Sequence, residues 1–218
     1  MVLLIESRRE MWRLDLRRDE NYSEYLRLLQ NDDYYDVTYD EVSGGVSAVH
    51  RFHKFDKQLG IMGYPRGEYE KNAIASLRKK GHRIILESEI GQQGEKRFDG
   101  FLDDWQMDIK AIEGNGIWSI STKIHDAIKQ GANCVVFVFP DRRLYSFHRI
   151  TDGLGKFITT PGNVETQMLS RVIAIVEDQV ACVWNKKATP IEGWSVSEGF
   201  WRQNGAAPFT ISPSDAKV

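Results

Sequence analysis

An α/β fold with a core from Gly67 to Phe139 in the order α-β-β-β-α-β is predicted by three observations. Two segments carry apolar residues at helical spacing and stop at a glycine. Three short β-type runs lie between them, and a wholly apolar run, CVVFVF, follows the second.

The first helix is EYEKNAIASLRKKGH, with Ala73, Ile74 and Leu77 on one face and a cationic end, Lys79–Lys80, ahead of Gly81. RIILES, KRFDGFL and QMDIKAI then read as three strands of a meander, with GQQG and DDW as the turns. In SISTKIHDAIKQGA, Ser119 or Ser121 offers an N-cap, Ile120, Ile124, Ala127 and Ile128 form an apolar stripe, and Gly131 ends it. NCVVFVF has no polar alternation and fits a strand buried on both faces. Ile74, Leu77, Ile85, Ile109, Ile124, Ile128, Val136 and Val138 are expected to share one core.

The flanks are less regular. Before the core come a helix at Tyr22 to Leu29, a polar tyrosine-rich stretch closed by Gly44–Gly45, a strand from Val46, and a linker from Gly60 to Gly67. After Pro140, LYSFHRI suggests an edge strand, and SRVIAIVEDQVACVW fits either a helix or two strands turning at Glu177–Asp178. The tail from Ala188 reads as loop, with Trp194, Phe200, Trp201 and Phe209 expected to pack on the domain. The division is an N-terminal extension packing on the core (1–63), the core unit (64–150) and a C-terminal extension (151–218).

A chain of 218 residues, 41% hydrophobic and 28% charged, can bury a full core and is not compositionally disordered. No run approaches the roughly 18 apolar residues of a membrane span, and the opening MVLLIESRRE is too short for a secretory core, so a cytoplasmic protein without membrane contact is expected. Cys134 and Cys182 sit in apolar runs without CxxC spacing and are expected as buried free thiols. A net charge of −2 excludes a general basic field for nucleic acid. Residues 64–150 alone are net positive, with 14 Lys/Arg against 12 Asp/Glu, so phosphate contacts would be local.

The chemistry concentrates on the third core strand. With a period of two, Asp108 and Lys110 share one face while Ile109 points to the other. Asp99, on the preceding strand, pairs across the DDW turn and brings a second carboxylate. Two carboxylates and an ammonium can hold a hard divalent ion and stabilise charge on a phosphate or orient a water. Glu70 lies on the inward face of the first helix with Ala73, Ile74 and Leu77, whereas Glu68 does not. On the second helix Lys123 and Gln130, seven residues apart, flank the apolar stripe and can project over the same edge. Arg142 and Arg143, after the last core strand, are candidates for a nucleic-acid groove.

The element order, Glu70, then Asp99, then Asp108-Ile109-Lys110, resembles the PD-(D/E)XK nuclease superfamily, whose restriction-endonuclease-like core is a mixed central sheet flanked by helices. Within it the segment is most similar to the C-terminal toxin domains of contact-dependent inhibition and phage-borne polymorphic toxins. There a Gly-terminated helix with a glutamate precedes a D-G turn, a (D/E)-x-K strand and a helix with the pattern of Ile120, Ala127 and Gln130. The resemblance implies Mg²⁺- or Mn²⁺-dependent phosphodiester hydrolysis of DNA or RNA, and an inhibitor or immunity partner. It implies Asp99 and Asp108 as metal ligands, Lys110 as the charge-stabilising or water-orienting group, and Glu70 as ligand or water holder. Two positions depart from the pattern: Phe98 replaces the proline before Asp99, and Asp108 stands where glutamate is commoner.

Two other readings stand beside this one. A metal-independent ribonuclease would use His53 or His82 with Lys110 and Ser119 or Thr122. A catalytically silent binding domain would keep the acidic pair as structure, with Asp99 and Asp108 too far apart to share an ion.

Overall fold

The computed structural model describes residues 2–88, 97–160, 164–186 and 194–198. Within them the chain is an α/β structure with a mixed sheet of nine strands, ordered in space as in sequence. The core segment holds α2 (Arg66–Arg78), β3 (Arg83–Leu86), β4 (Gly100–Leu102), β5 (Trp105–Ala111), α3 (Ile117–Lys129) and β6 (Cys134–Phe139), the order expected. Ahead of it lie α1 (Val2–Leu29), β1 (Tyr34–Tyr39) and β2 (Val46–His50). After it come α4 (Phe147–Thr159), β7 (Arg171–Val176), β8 (Gln179–Lys186) and β9 (Trp194–Glu198). Strands from all three sequence regions therefore belong to one hydrogen-bonded sheet.

β2 runs parallel to β3, and β5, β6 and β7 are mutually parallel; the other neighbours are antiparallel. Each parallel step spends a helix on its crossover, α2 before β3, α3 before β6 and α4 before β7. β6 lies in the middle of this stretch and is buried along its whole length, which is why its sequence carries no alternation.

The sheet divides the apolar residues that the sequence suggested would form one core. On one face α2 places Ala73, Ile74 and Leu77 against Met107, Val136, Val138, Ile173 and Ile175, with Ile109 beside them. On the other, Ile120, Ile124 and Ile128 of α3 and Ile150, Leu154 and Phe157 of α4 cover Val135, Phe137, Val172 and Ala174. Ile85 joins a third cluster with Leu28 of α1, Val46 and Ala48. Inward residues on consecutive elements share a core only if their helices lie on the same side of the sheet, and α2 and α3 do not.

Other boundaries differ for local reasons. α3 starts after Gly116, because Ser119 and Ser121 lie inside the helix; Ser119 Oγ donates to the Gly116 carbonyl at 2.6 Å. The stretch expected as an edge strand near His148 begins α4 instead, capped by Ser146. Its apolar positions Ile150, Leu154 and Phe157 recur at helical spacing, a period that emerges only beyond Ile150. The tyrosine-rich stretch forms β1, whose edge position suits half-exposed aromatics. The α1 helix reaches back to Val2, β7 and β8 turn at Glu177–Asp178, and β9 appears in the tail read as loop. The GQQG turn and the tail beyond Glu198 lie outside the described residues. Cys134 and Cys182 are buried and form no disulfide with each other, and no described helix is long and apolar enough to cross a membrane.

The α1 helix is tied to the core through Asp103, in the two-residue turn between β4 and β5. Its carboxylate pairs with Arg17, accepts from His82 Nδ1 at 2.8 Å and from the Arg83 N–H at 3.0 Å. Burial alone would raise its pKa, but these donors prevail and hold it well below the usual carboxylate range. A depressed folded pKa gives stability that is complete above the unfolded value of about 4 and fades as the pH falls through the folded one. Asp103→Asn is thus expected to cost about 1.5–3 kcal/mol at pH 7 in urea unfolding. The gap from the parent protein should narrow steadily below about pH 4; a gap independent of pH would place the cost elsewhere.

Candidate active site

The site lies where β4 parts from β5. Those strands pair only from Leu102↔Trp105 to Gly100↔Met107, and β5 continues to Ala111 bonded to β6 on its other side. Beyond the end of the β4 ladder, the Ile109 N–H donates to a side chain instead, Asp99 Oδ2, at 2.6 Å. The Asp99 carbonyl in turn accepts from the Glu87 N–H at 2.8 Å, which holds the residue against β3. Asp99–Gly100, read as a turn in the family resemblance, is therefore the entry to a strand, and the aspartate is drawn into the fork that the short strand leaves.

Asp108 is fully buried on β5, and neither carboxylate oxygen is met by a backbone N–H, amide or hydroxyl donor. Lys110 Nζ stands 2.7 Å from its Oδ2, an ion pair in distance although off the line of a hydrogen bond. The strand period puts both side chains on the face opposite Ile109, as expected. Lys110 Nζ also lies 3.4 Å from Gln130 Oε1 at the C-terminal end of α3, a long contact. Gln130 is itself fixed to the site, since its carbonyl accepts from the Phe98 N–H at 3.0 Å.

Burial raises the Asp99 pKa well above the usual carboxylate range, reinforced by the adjacent charges of Asp108 and Glu70 and by a hydrogen bond shared with Asp108. Two carboxyls forced together in a dry place favour sharing a proton until a cation replaces it. That is also the chemistry of a divalent site. Mg²⁺ commonly uses one or two carboxylates and completes its shell with water and phosphate oxygens, so Asp99 and the unsatisfied oxygens of Asp108 fit such an ion. Among the described residues, no group of three or more His, Cys, Asp or Glu side chains is arranged to hold a metal. Glu70 stands near the pair, but its Oε1 accepts from His53 Nε2 at 2.8 Å.

His53 is the residue whose role sequence reasoning missed. The metal-independent reading makes it a catalytic base, whereas the fold pairs it with Glu70 on α2, brought close by tertiary folding alone. Its side chain is 1% exposed and its Nδ1 lies 3.2 Å from the Glu87 carbonyl, so it braces Glu70 from behind and offers no surface to a substrate. His82 is held by Asp103 at the opposite end of β3 and β4. Ser119 is tied to the Arg149 guanidinium at 3.0 Å.

Beside Lys110 and Glu70 opens a cleft of about 340 Å³ lined also by Asp56, Arg66, Tyr69, Glu113 and Lys123; Asp99 and Asp108 lie behind Lys110 and do not line it. Burial lowers the Lys123 pKa, helped by the nearby charge of Lys110, so two ammonium groups face one opening. Glu68 instead pairs with Lys71 at the surface. The structure thus gathers Glu70, Asp99, Asp108, Lys110, Lys123 and Gln130 around one place. It leaves Arg142 and Arg143 outside the cleft: they form a short 3-10 turn after β6, where Arg143 is 89% exposed and pairs with Asp141. Their nearness in sequence to the last core strand did not bring them to its site.

Fold and site together define an α/β protein with a buried acidic pair and a lysine at a strand fork. No family model and no curated protein matches the chain. Among solved structures, it is similar to a CdiA-CT/CdiI toxin and immunity complex from Burkholderia pseudomallei, with 20% identity and a TM-score of 0.37 over 51% of this chain and 77% of that one.

Proposed function

We propose that this chain is a nuclease that hydrolyses phosphodiester bonds in DNA or RNA with the help of a divalent cation, Mg²⁺ or Mn²⁺. The observation that carries the reading is Asp108, fully buried and met by no N–H or hydroxyl donor, against Asp99 and 2.7 Å from the Lys110 ammonium. Two buried carboxyls beside a single ammonium are short of positive charge, and a bound cation would complete them. Asp99 and Asp108 would hold the cation, which when bound polarises the phosphate and lowers the pKa of a bound water. Lys110 stabilises the charge that develops on the phosphate, with Gln130 steadying its ammonium. Lys123 binds a neighbouring phosphate across the cleft, and Glu70, braced by His53, orients the attacking water. The family resemblance extends the proposal to a toxin whose producer keeps an inhibitor partner.

The metal-independent reading draws little support from a histidine that is 1% exposed. The binding-domain reading would be favoured by aspartates held too far apart to share an ion, and the interaction between Asp99 and Asp108 supports the metal reading instead. The test is to incubate the protein with plasmid, single-stranded DNA and total tRNA in Mg²⁺, Mn²⁺ or EDTA. Cleavage is expected with either ion and none in EDTA, accompanied by a rise in melting temperature when Mg²⁺ is added to the protein alone, because a ligand that binds the native state stabilises it. Cleavage that persists in EDTA would overturn the proposal.

A further inference from the structure

Beside the cleft the chain makes a tight turn whose apolar side chains remain in water. Leu59 bridges to Pro65, the Gly60 N–H donates to the Tyr64 carbonyl at 2.9 Å, and the Gly63 N–H donates to the Gly60 carbonyl at 3.0 Å. Gly63 takes a φ of +80°, which favours glycine. Two cleft-lining residues pin the turn: Glu113 Oε1 accepts from the Ile61 N–H at 3.0 Å, and the Tyr69 hydroxyl accepts from the Met62 N–H at 3.2 Å. Yet Leu59 is 69%, Ile61 51% and Met62 43% exposed, with Tyr64 beside them at 38%. A backbone held this firmly has no need to present four large apolar side chains to solvent. Apolar groups clustered on the rim of a polar cleft mark a ligand that is itself part apolar and part charged.

We propose that the turn Leu59–Tyr64 binds the bases of unpaired nucleotides, and that it selects single-stranded or unstacked nucleic acid for the cleft. The charge balance favours this occupant. With 29 Lys/Arg against 31 Asp/Glu, and with Arg66 paired with Glu113 and Lys110 with Asp108, each at 2.7 Å, phosphate attraction at this site falls mainly to Lys123. Affinity must therefore come from the faces of bases, which are apolar, and are buried by stacking in a duplex but open in a single strand. Tyr64 offers a ring for an unpaired base to stack on, with Ile61 and Met62 adding apolar contact beside it, independently of base sequence. The continuity of turn and cleft lets a base lie on Ile61 and Met62 while its phosphate meets Lys123. The identity of the ligand rests on the nuclease reading; the exposed turn does not.

The experiment measures binding in EDTA, where the proposed hydrolysis cannot proceed, using a fluorescein-labelled 20-nucleotide single strand of mixed sequence and the duplex made from it. The parent protein is expected to bind the single strand roughly tenfold tighter, and the Ile61→Ser/Met62→Ser double variant to lose that margin while its duplex affinity stays within about twofold. Both positions are exposed, so an unchanged melting temperature confirms that the variant is folded. Equal binding of the two forms, absence of binding, or a double variant that keeps the margin would overturn the proposal and leave the turn to a protein partner. Cleavage in Mg²⁺ is read separately. A protein that cleaves but shows no strand margin defeats this inference alone, and one that keeps the margin but never cleaves defeats the nuclease reading alone.

Discussion

Asp108→Asn is expected to reduce Mg²⁺-dependent cleavage by roughly 10²- to 10⁴-fold while leaving the protein as stable as before or more so. The activity loss follows because the amide keeps the shape but removes the negative charge that a cation needs. The stability follows from the surroundings. Asp108 is fully buried, its oxygens are met by no N–H or hydroxyl donor, and it helps to raise the pKa of Asp99. Neutralising it relieves repulsion between the two carboxyls.

Lys110→Met should lose activity to a similar degree but also lose about 3–5 kcal/mol in urea, since it strips a buried carboxylate of its ammonium. Asp108 being buried, rather than on a solvated strand face, separates the two. If Asp108→Asn unfolds the protein as readily as Lys110→Met, the pair is a structural salt bridge and the nuclease proposal fails. A toxin role adds a second readout: expression of the parent without an inhibitor should arrest bacterial growth, and expression of Asp108→Asn should not.

The second large effect is expected at Gly100, where alanine should cost about 3 kcal/mol or more and abolish cleavage with it. An added Cβ would lie 2.1 Å from the Ile85 carbonyl oxygen and 2.7 Å from the Leu86 Cα. These are backbone atoms of the paired strand, so no side-chain rotation can make room. β4 would have to move away from β3, carrying the adjacent Asp99 out of the fork in which it accepts from the Ile109 N–H. Gly155 within α4 provides the contrast, because a Cβ there meets nothing within 4 Å. Gly155→Ala should raise stability by about 0.5–1 kcal/mol through helix propensity alone. Urea unfolding of the two variants tests the pair, and a mild Gly100→Ala would show that β3 and β4 can separate without cost.

Between Gly67 and Phe139 the element order was legible because each element carries its own period: Ala73, Ile74 and Leu77 in α2, Ile120, Ile124 and Ile128 in α3, and the unbroken CVVFVF of β6. The common face of Asp108 and Lys110 was legible for the same reason, since a strand's alternation is a local property. Glu70 could be separated from Glu68 by helical phase. These readings depend on residues within a turn or two of one another, over which the backbone geometry is set by sterics and hydrogen bonding.

What lies on which side of the sheet, and what meets across it, required the tertiary structure. The expected single core is two faces and a satellite cluster because α2 and α3 cover opposite sides, a choice made by chain crossovers and not by any residue's neighbours in sequence. His53 acquires its acid from a helix seventeen residues away, and Arg142 and Arg143 miss the cleft despite following its central strand. Asp99 reaches the Ile109 N–H only because β4 ends early. By itself the sequence determined which elements form and which charged residues share an element's face, because periodicity is local. The tertiary structure alone decided that two carboxylates are pressed together out of water, because burial and repulsion depend on atoms that long-range packing brings near.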